Sequence, residues 1–204
     1  MVSADEPVLT FHTGDDWEAW LERHHETSGP VWLRLARKGV TPATVGYVEA
    51  VEVALCFGWI DSQKAASTGG YSVQRFSRRR ARSPWSAINR ERAVALAAAG
   101  RMRPAGIVAV DAAKADGRWD AAYAGSRTAT VPDDLAAALA AVPEARQAFD
   151  ELDKANRYAI LYRLMAAKRP ETRARRITTF VDMLARGDVL HPTSARRPAK
   201  PQGT

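Results

Sequence analysis

The sequence predicts an α+β chain: a mixed N-terminal part with a small antiparallel sheet and helices, followed by a helical C-terminal part. Two observations carry this. Up to about residue 80, stretches alternating with period two are interleaved with stretches whose apolar residues recur at helical spacing; beyond it, only the helical spacing remains, punctuated by Gly and Pro. A length of 204 residues with 46% hydrophobic content suffices for one large domain or two small ones.

The elements follow in order. "LTFHT" is a short alternating stretch, and "GDDWEAWLERHHETSG" has an acidic start, apolar Trp17, Trp20 and Leu21 on one side, and a terminal Gly, so it reads as a helix. "PVWLRLARK" sets Val31, Leu33 and Leu35 against Trp32, Arg34 and Ala36, the alternation of a strand. The segment "TPATVGYVEAVEVALCFG" places Val48, Val51 and Leu55 at helical spacing and stops at Gly58. "WIDSQKAA" and "YSVQRFS" are extended segments joined through "STGG", a hairpin. Two helices come next, in "SPWSAINRERAVALAAAG" and "RPAGIVAVDAAKADG". Residues 1–123 thus form the α+β domain, and the small, polar 124–131 form a linker. Residues 132–191 carry three helical patterns: "PDDLAAALAAVPEARQAFDEL", "NRYAILYRLMAAK" with Tyr158, Leu161, Tyr162 and Met165 on one face, and "PETRARRITTFVDMLARG" with Ile177, Phe180, Val181 and Leu184 on another. Residues 192–204 read as a flexible tail.

Composition narrows the function classes. The N-terminus is acidic and polar, and no run of 18 apolar residues occurs, so neither signal peptide nor membrane insertion is expected and the chain reads as cytoplasmic. One cysteine, Cys56, excludes an internal disulfide, and with four histidines no zinc site or other metal or cofactor is expected. The net charge of +7 is concentrated in three places: seven arginines from Arg75 to Arg92 opposed only by Glu91, the run from Lys168 to Arg176, and the tail.

Two groups of residues are candidates for binding. Trp59, Phe76 and Trp85 supply aromatic walls, with Arg75, Arg79 and Arg82 as cationic partners and Asp61 facing Arg75 or Arg78 across the hairpin if the register allows. The same residues also suit an internal packing surface. In the last helix Arg169, Arg173 and Arg176 recur at i, i+4 and i+7 as a ridge for an anion; the alternative is pairing with carboxylates of neighbouring helices such as Glu151 or Asp153. Cys56 ends a helix, where the dipole disfavours a thiolate, and reads as a small buried hydrophobe.

The blocks "LCFGWID" (55–61), "QRFSRRRARSPWSAINRERA" (74–93), "GRMRPAG" (100–106), "AKADGRWDAAY" (113–123) and "AKRPETRARRI" (167–177) together resemble the bacterial YdeI/OmpD-associated family, also described as bacteriocin-protection-like. The resemblance runs from about Trp17 to about Pro192. It implies a cytoplasmic protein with a mixed N-terminal part and a helical C-terminal part, and no particular reaction. The chain departs from the pattern at Val53, where an acid is common, and at Arg78 and Ala81, where Pro tends to stand. The expectation is a non-enzymatic binding or stress-protection protein that recognises an anionic small molecule or acidic protein partner, its oligomeric state open. The alternatives are nucleic-acid binding through the arginine clusters and an enzyme using Cys56 or Asp61.

Overall fold

The computed structural model describes residues 6–66 and 68–191; the expected tail, with its basic cluster, and Ser67 of the hairpin turn lie outside them. The chain divides into two compact units with the boundary between Ala122 and Tyr123. In the first, the order is β1 (Val8–Leu9), α1 (Gly14–His24), β2 (Val31–Ala36), α2 (Tyr47–Cys56), β3 (Trp59–Ala66), β4 (Tyr71–Arg78), α3 (Ala87–Ala98) and α4 (Pro104–Ala115). The sheet runs β1-β2-β4-β3. Both pairings of β4 are antiparallel, as expected, but β1 joins β2 in parallel, which makes the sheet mixed. The reason is α1, a crossover helix that carries the chain back to the end from which it started.

Local chemistry sets α1. Thr13 caps it reciprocally with Asp16: the Asp16 amide donates to Thr13 Oγ1 and the Thr13 amide to Asp16 Oδ2, each at 3.1 Å. Trp17 and Leu21, one turn apart, then bury completely. They meet Val31, Leu33 and Leu35 from one face of β2 and Phe76 from β4, so a single sheet face supplies most of this core. Each such large apolar side chain contributes roughly 1.5–3 kcal/mol on burial.

Two expectations for this unit need correction. The second helix starts at Tyr47, later than the pattern suggested: the Val45 amide donates to Phe11 O at 2.9 Å and the Thr44 hydroxyl accepts from the Ala36 amide at 2.7 Å, so this stretch bonds to its neighbours instead of to itself. Val48, assigned with Val51 and Leu55 to the inward stripe, is half exposed at 50%.

The second unit holds α5 (Asp133–Ala140), α6 (Pro143–Asp150), α7 (Lys154–Met165) and α8 (Pro170–Ala185). The single helix expected over 132–152 is two. Pro143 has no amide to continue α5 and drives Val142 to φ −132°, ψ 92°, after which it serves as a first-turn residue of α6. The stripe of Ile177, Phe180, Val181 and Leu184 does bury, against Leu135, Leu139 and Phe149. On α7 the inward face is rotated from the expected one: Asn156, Ile160, Leu161 and Leu164 are buried, Tyr158 and Tyr162 half-buried, and Met165 exposed.

Candidate anion-binding site

The structure separates the residues that the sequence grouped. Trp59 and Phe76 are fully buried core residues packed on Trp17, and the Trp59 indole donates to His25 O at 3.1 Å; neither forms a pocket wall. Asp61 lies opposite Phe76, with a bulge following between Asp61 and Lys64, so it does not meet Arg75. Its Oδ2 accepts from the Tyr47 hydroxyl at 2.8 Å and the Gln74 amide at 3.3 Å. Arg75, on the opposite face of β4, grips Glu6 in a fork of 2.7 and 2.8 Å, and the Trp32 indole donates to the same carboxylate at 2.9 Å. The Arg75 guanidinium holds the Glu6 carboxyl below its ordinary pKa.

Trp85 is buried too, and the Arg79 guanidinium lies 3.7 Å from its ring centroid while donating to Pro84 O at 3.2 Å. Arg82 is exposed. In the second unit the ridge is internal: Arg173 forks onto Asp134 at 2.5 and 2.9 Å and donates to Leu164 O, and Arg176 donates to Arg163 O. The partner is Asp134 and not Glu151, which binds Gln147, or Asp153, which caps α7. Arg169 is the exposed N-cap residue of α8.

A cleft of about 510 Å³ opens in the first unit, against the far end of β4. One wall is the run Arg78–Arg79–Arg80 that leaves the strand; the facing wall is a stripe of α4, Ala105, Val108, Ala109 and Ala112, one and two turns apart. His25 and Glu26 at the end of α1, the Phe57–Gly58 turn and Arg118 complete it. Arg118 is fixed by Asp116 at 2.7 Å and Ser83 O at 2.9 Å. Among the described residues, the exposed guanidiniums of Arg78 and Arg80 have no hydrogen-bond or ion-pair partner. A smaller recess of about 160 Å³, bounded by Arg75, Ser77 and Gly29, shares Arg78 and Arg80 with the cleft.

The floor of the cleft explains two of the sequence motifs. Gly58, at φ +71°, ends α2, and a Cβ there would sit 2.8 Å from Ala105 O; on Gly106 a Cβ would sit 2.2 Å from Cys56 O. These glycines let the C-terminus of α2 abut the N-terminus of α4, where the Arg103 amide donates to Cys56 O at 3.1 Å. "LCFGWID" and "GRMRPAG" are two halves of one helix-to-helix junction. The Gly58 carbonyl accepts from the Arg79 amide at 2.9 Å, which fixes where the arginine run leaves the strand. Cys56 is 1% exposed, and burial pushes its thiol pKa up, which disfavours the thiolate a nucleophile needs. Among the described residues no three His, Cys, Asp or Glu side chains gather as a metal site.

Sequence reasoning missed the cleft residues His25, Val108, Ala112 and Arg118. The signal available was the stripe of Ala105, Ala109 and Ala112 on a helix whose Val108 is also exposed, at 67%.

A mixed four-stranded sheet unit bearing a cationic cleft, followed by a separate four-helix unit, defines a two-part α+β chain. Residues 128–187, within the helical unit, match the family described as Bacteriocin-protection, YdeI or OmpD-Associated. Residues 9–109 match a different description, a domain of unknown function (DUF8412), and this stretch contains "LCFGWID", the arginine run and "GRMRPAG". The resemblance read from the sequence is supported by the match over residues 128–187. No curated protein and no solved structure matches the chain. No helix among the described residues is long and apolar enough to cross a membrane.

Proposed function

We propose that this chain is a cytoplasmic, non-enzymatic binding protein that recognises an anionic small molecule in the cleft between the arginine run and α4, within the protective role that its family's description names. The observation that carries the reading is the pair of exposed guanidiniums, Arg78 and Arg80, without partners among the described residues at the mouth of a cavity with an apolar wall. A guanidinium fork matches carboxylate and phosphate geometry, and the apolar wall gives the remainder of a ligand a surface to cover.

The fate of the other arginines favours a compact ligand over nucleic acid. Arg75 is committed to Glu6, Arg79 to Pro84 O and Trp85, Arg90 to Trp119 O, and Arg92 to Asn89 and Glu52. What remains is a small cluster, not a continuous track for a phosphate backbone.

A thermal-shift screen of anionic metabolites, nucleotides included, tests the reading. At least one compound is expected to raise the melting temperature of the native chain and to leave an Arg78→Ala/Arg80→Ala variant unchanged. A silent screen, or stabilisation that survives the double substitution, sinks it. Binding to short DNA or RNA with a steep salt slope replaces it with the nucleic-acid reading.

A further inference from the structure

Helix α4 carries a second surface. Ile107, Asp111 and Lys114 recur on it at i, i+4 and i+7, a stripe separate from the Ala105, Val108, Ala109 and Ala112 stripe that walls the cleft. Together with Val94 and Ala97 of α3 this stripe lines an apolar groove of about 260 Å³. Val94 is 57% exposed and Ile107 47%. Alanine fills neighbouring exposed positions, Ala95, Ala97 and Ala98 on α3 and Ala112 and Ala115 on α4, and it is the better helix former. A β-branched side chain at such a position lowers helix propensity and leaves apolar area in water; a covering surface removes the second cost. The two charged side chains that line the groove are Asp111 and Lys114, one turn apart. Among the described residues Asp111 has no hydrogen-bond or ion-pair partner, and Lys114 has only the Trp119 ring, 5.6 Å from its ammonium. Their charges cancel, so the groove favours neither an acidic nor a basic partner. The pair is self-complementary: a two-fold axis passing between the two positions brings Asp111 of one copy to Lys114 of the other, and the reverse, while apolar lining meets apolar lining.

We infer that this α3–α4 face binds a second copy of the chain, in a two-fold dimer whose grooves cover each other's Val94 and Ile107 and whose Asp111 and Lys114 form two equivalent cross-pairs. Each helix has 12 residues and is about 18 Å long, so the face lies at the small end of specific interfaces and association in the micromolar range is expected. The inference is independent of the cleft and of its ligand.

Sedimentation equilibrium of the full chain across the micromolar range tests this, and a monomer–dimer equilibrium is expected. Val94→Lys/Ile107→Lys sets cations into the apolar contact and is expected to weaken the dimer about tenfold or more. Both side chains are exposed and lysine is a good helix former, so the variant should keep the native circular dichroism. Val48→Lys replaces a similarly exposed apolar residue on α2 and should leave the dimer as it is. A charge series identifies the partner. Asp111→Lys turns two attractive cross-pairs into two lysine–lysine pairs and is expected to weaken the dimer about tenfold. Asp111→Lys/Lys114→Asp re-forms both pairs and should restore the native affinity to within about threefold, a rescue that requires a partner with the same two substitutions. The series decides the matter even if Val94→Lys/Ile107→Lys disturbs the fold. A chain that stays monomeric throughout the range, a dimer that survives Val94→Lys/Ile107→Lys or is dissociated by Val48→Lys, or a double swap no better than Asp111→Lys overturns the inference.

Discussion

Gly106→Ala puts the α2–α4 junction to the test. The added methyl carbon would lie 2.2 Å from Cys56 O, 2.8 Å from its carbonyl carbon and 2.9 Å from Leu55 O, all backbone atoms at a helix end that no rotamer change can move aside. Helix α4 must retreat, at a packing cost of about 1–3 kcal/mol, taken here near its upper end because the obstacle is main chain. The hydrogen bond from the Arg103 amide to Cys56 O goes with it, adding about 1 kcal/mol. Alanine's better helix propensity returns about 1 kcal/mol. The net expectation is a loss of about 2–3 kcal/mol. Urea unfolding followed by tryptophan emission reads it selectively, because all six tryptophans lie in the first unit. Gly29→Ala is the control: nothing lies within 4 Å of its Cβ position, so its midpoint should stay within about 0.5 kcal/mol of the native chain or rise slightly. If Gly106→Ala unfolds at the same urea concentration as Gly29→Ala, the close-approach reasoning is wrong.

Further outcomes are expected from the other contacts. Arg79→Ala removes the guanidinium stacked on Trp85 and its bond to Pro84 O, and should destabilise the first unit by about 1–2 kcal/mol with a shift in tryptophan emission; unchanged emission would refute the stacking. In the second unit, the Arg173 guanidinium holds the Asp134 carboxyl below its ordinary pKa by hydrogen bonding. A depressed folded-state pKa contributes stability that is complete above the ordinary carboxylate value of about 4 and fades as pH falls through the folded value. Asp134→Asn should therefore flatten the acid limb of the tyrosine-monitored melting curve without steepening it anywhere; an unaltered acid limb counts against the clamp. Cys56 should react with a thiol reagent only slowly until denaturant is added, and rapid reaction in the native protein would contradict its burial.

What was legible in the sequence was local. The acidic start of the first helix, the stripe of Ile177, Phe180, Val181 and Leu184, and the stop at Gly58 each depend on a few adjacent residues, and the structure carries all three. What escaped depends on distance along the chain. Arg75 meets Glu6 across 69 positions and Arg173 meets Asp134 across 39, so no window of sequence contains both partners. Asp61 missed Arg75 because strand alternation turns those two side chains to opposite faces once Asp61 is registered with Phe76, and only that register decides it. The cleft draws on α1, the α2–β3 turn, the end of β4 and α4, and it becomes visible only when four separate segments converge.

The strand order β1-β2-β4-β3 has a consequence for timing. Strand β2 cannot close its sheet until β4 has been made, and the glycine junction waits for α4, so the sheet unit depends on pairings distant in sequence and belongs to the slower kind of folder. The helical unit, built from neighbours, belongs to the faster kind. The order of synthesis compensates: the slow half is translated first. At about 5–20 residues per second, synthesis of the 80 or so residues of the second unit gives the first a head start of roughly 4–16 s, which the reverse order of the two units would deny it.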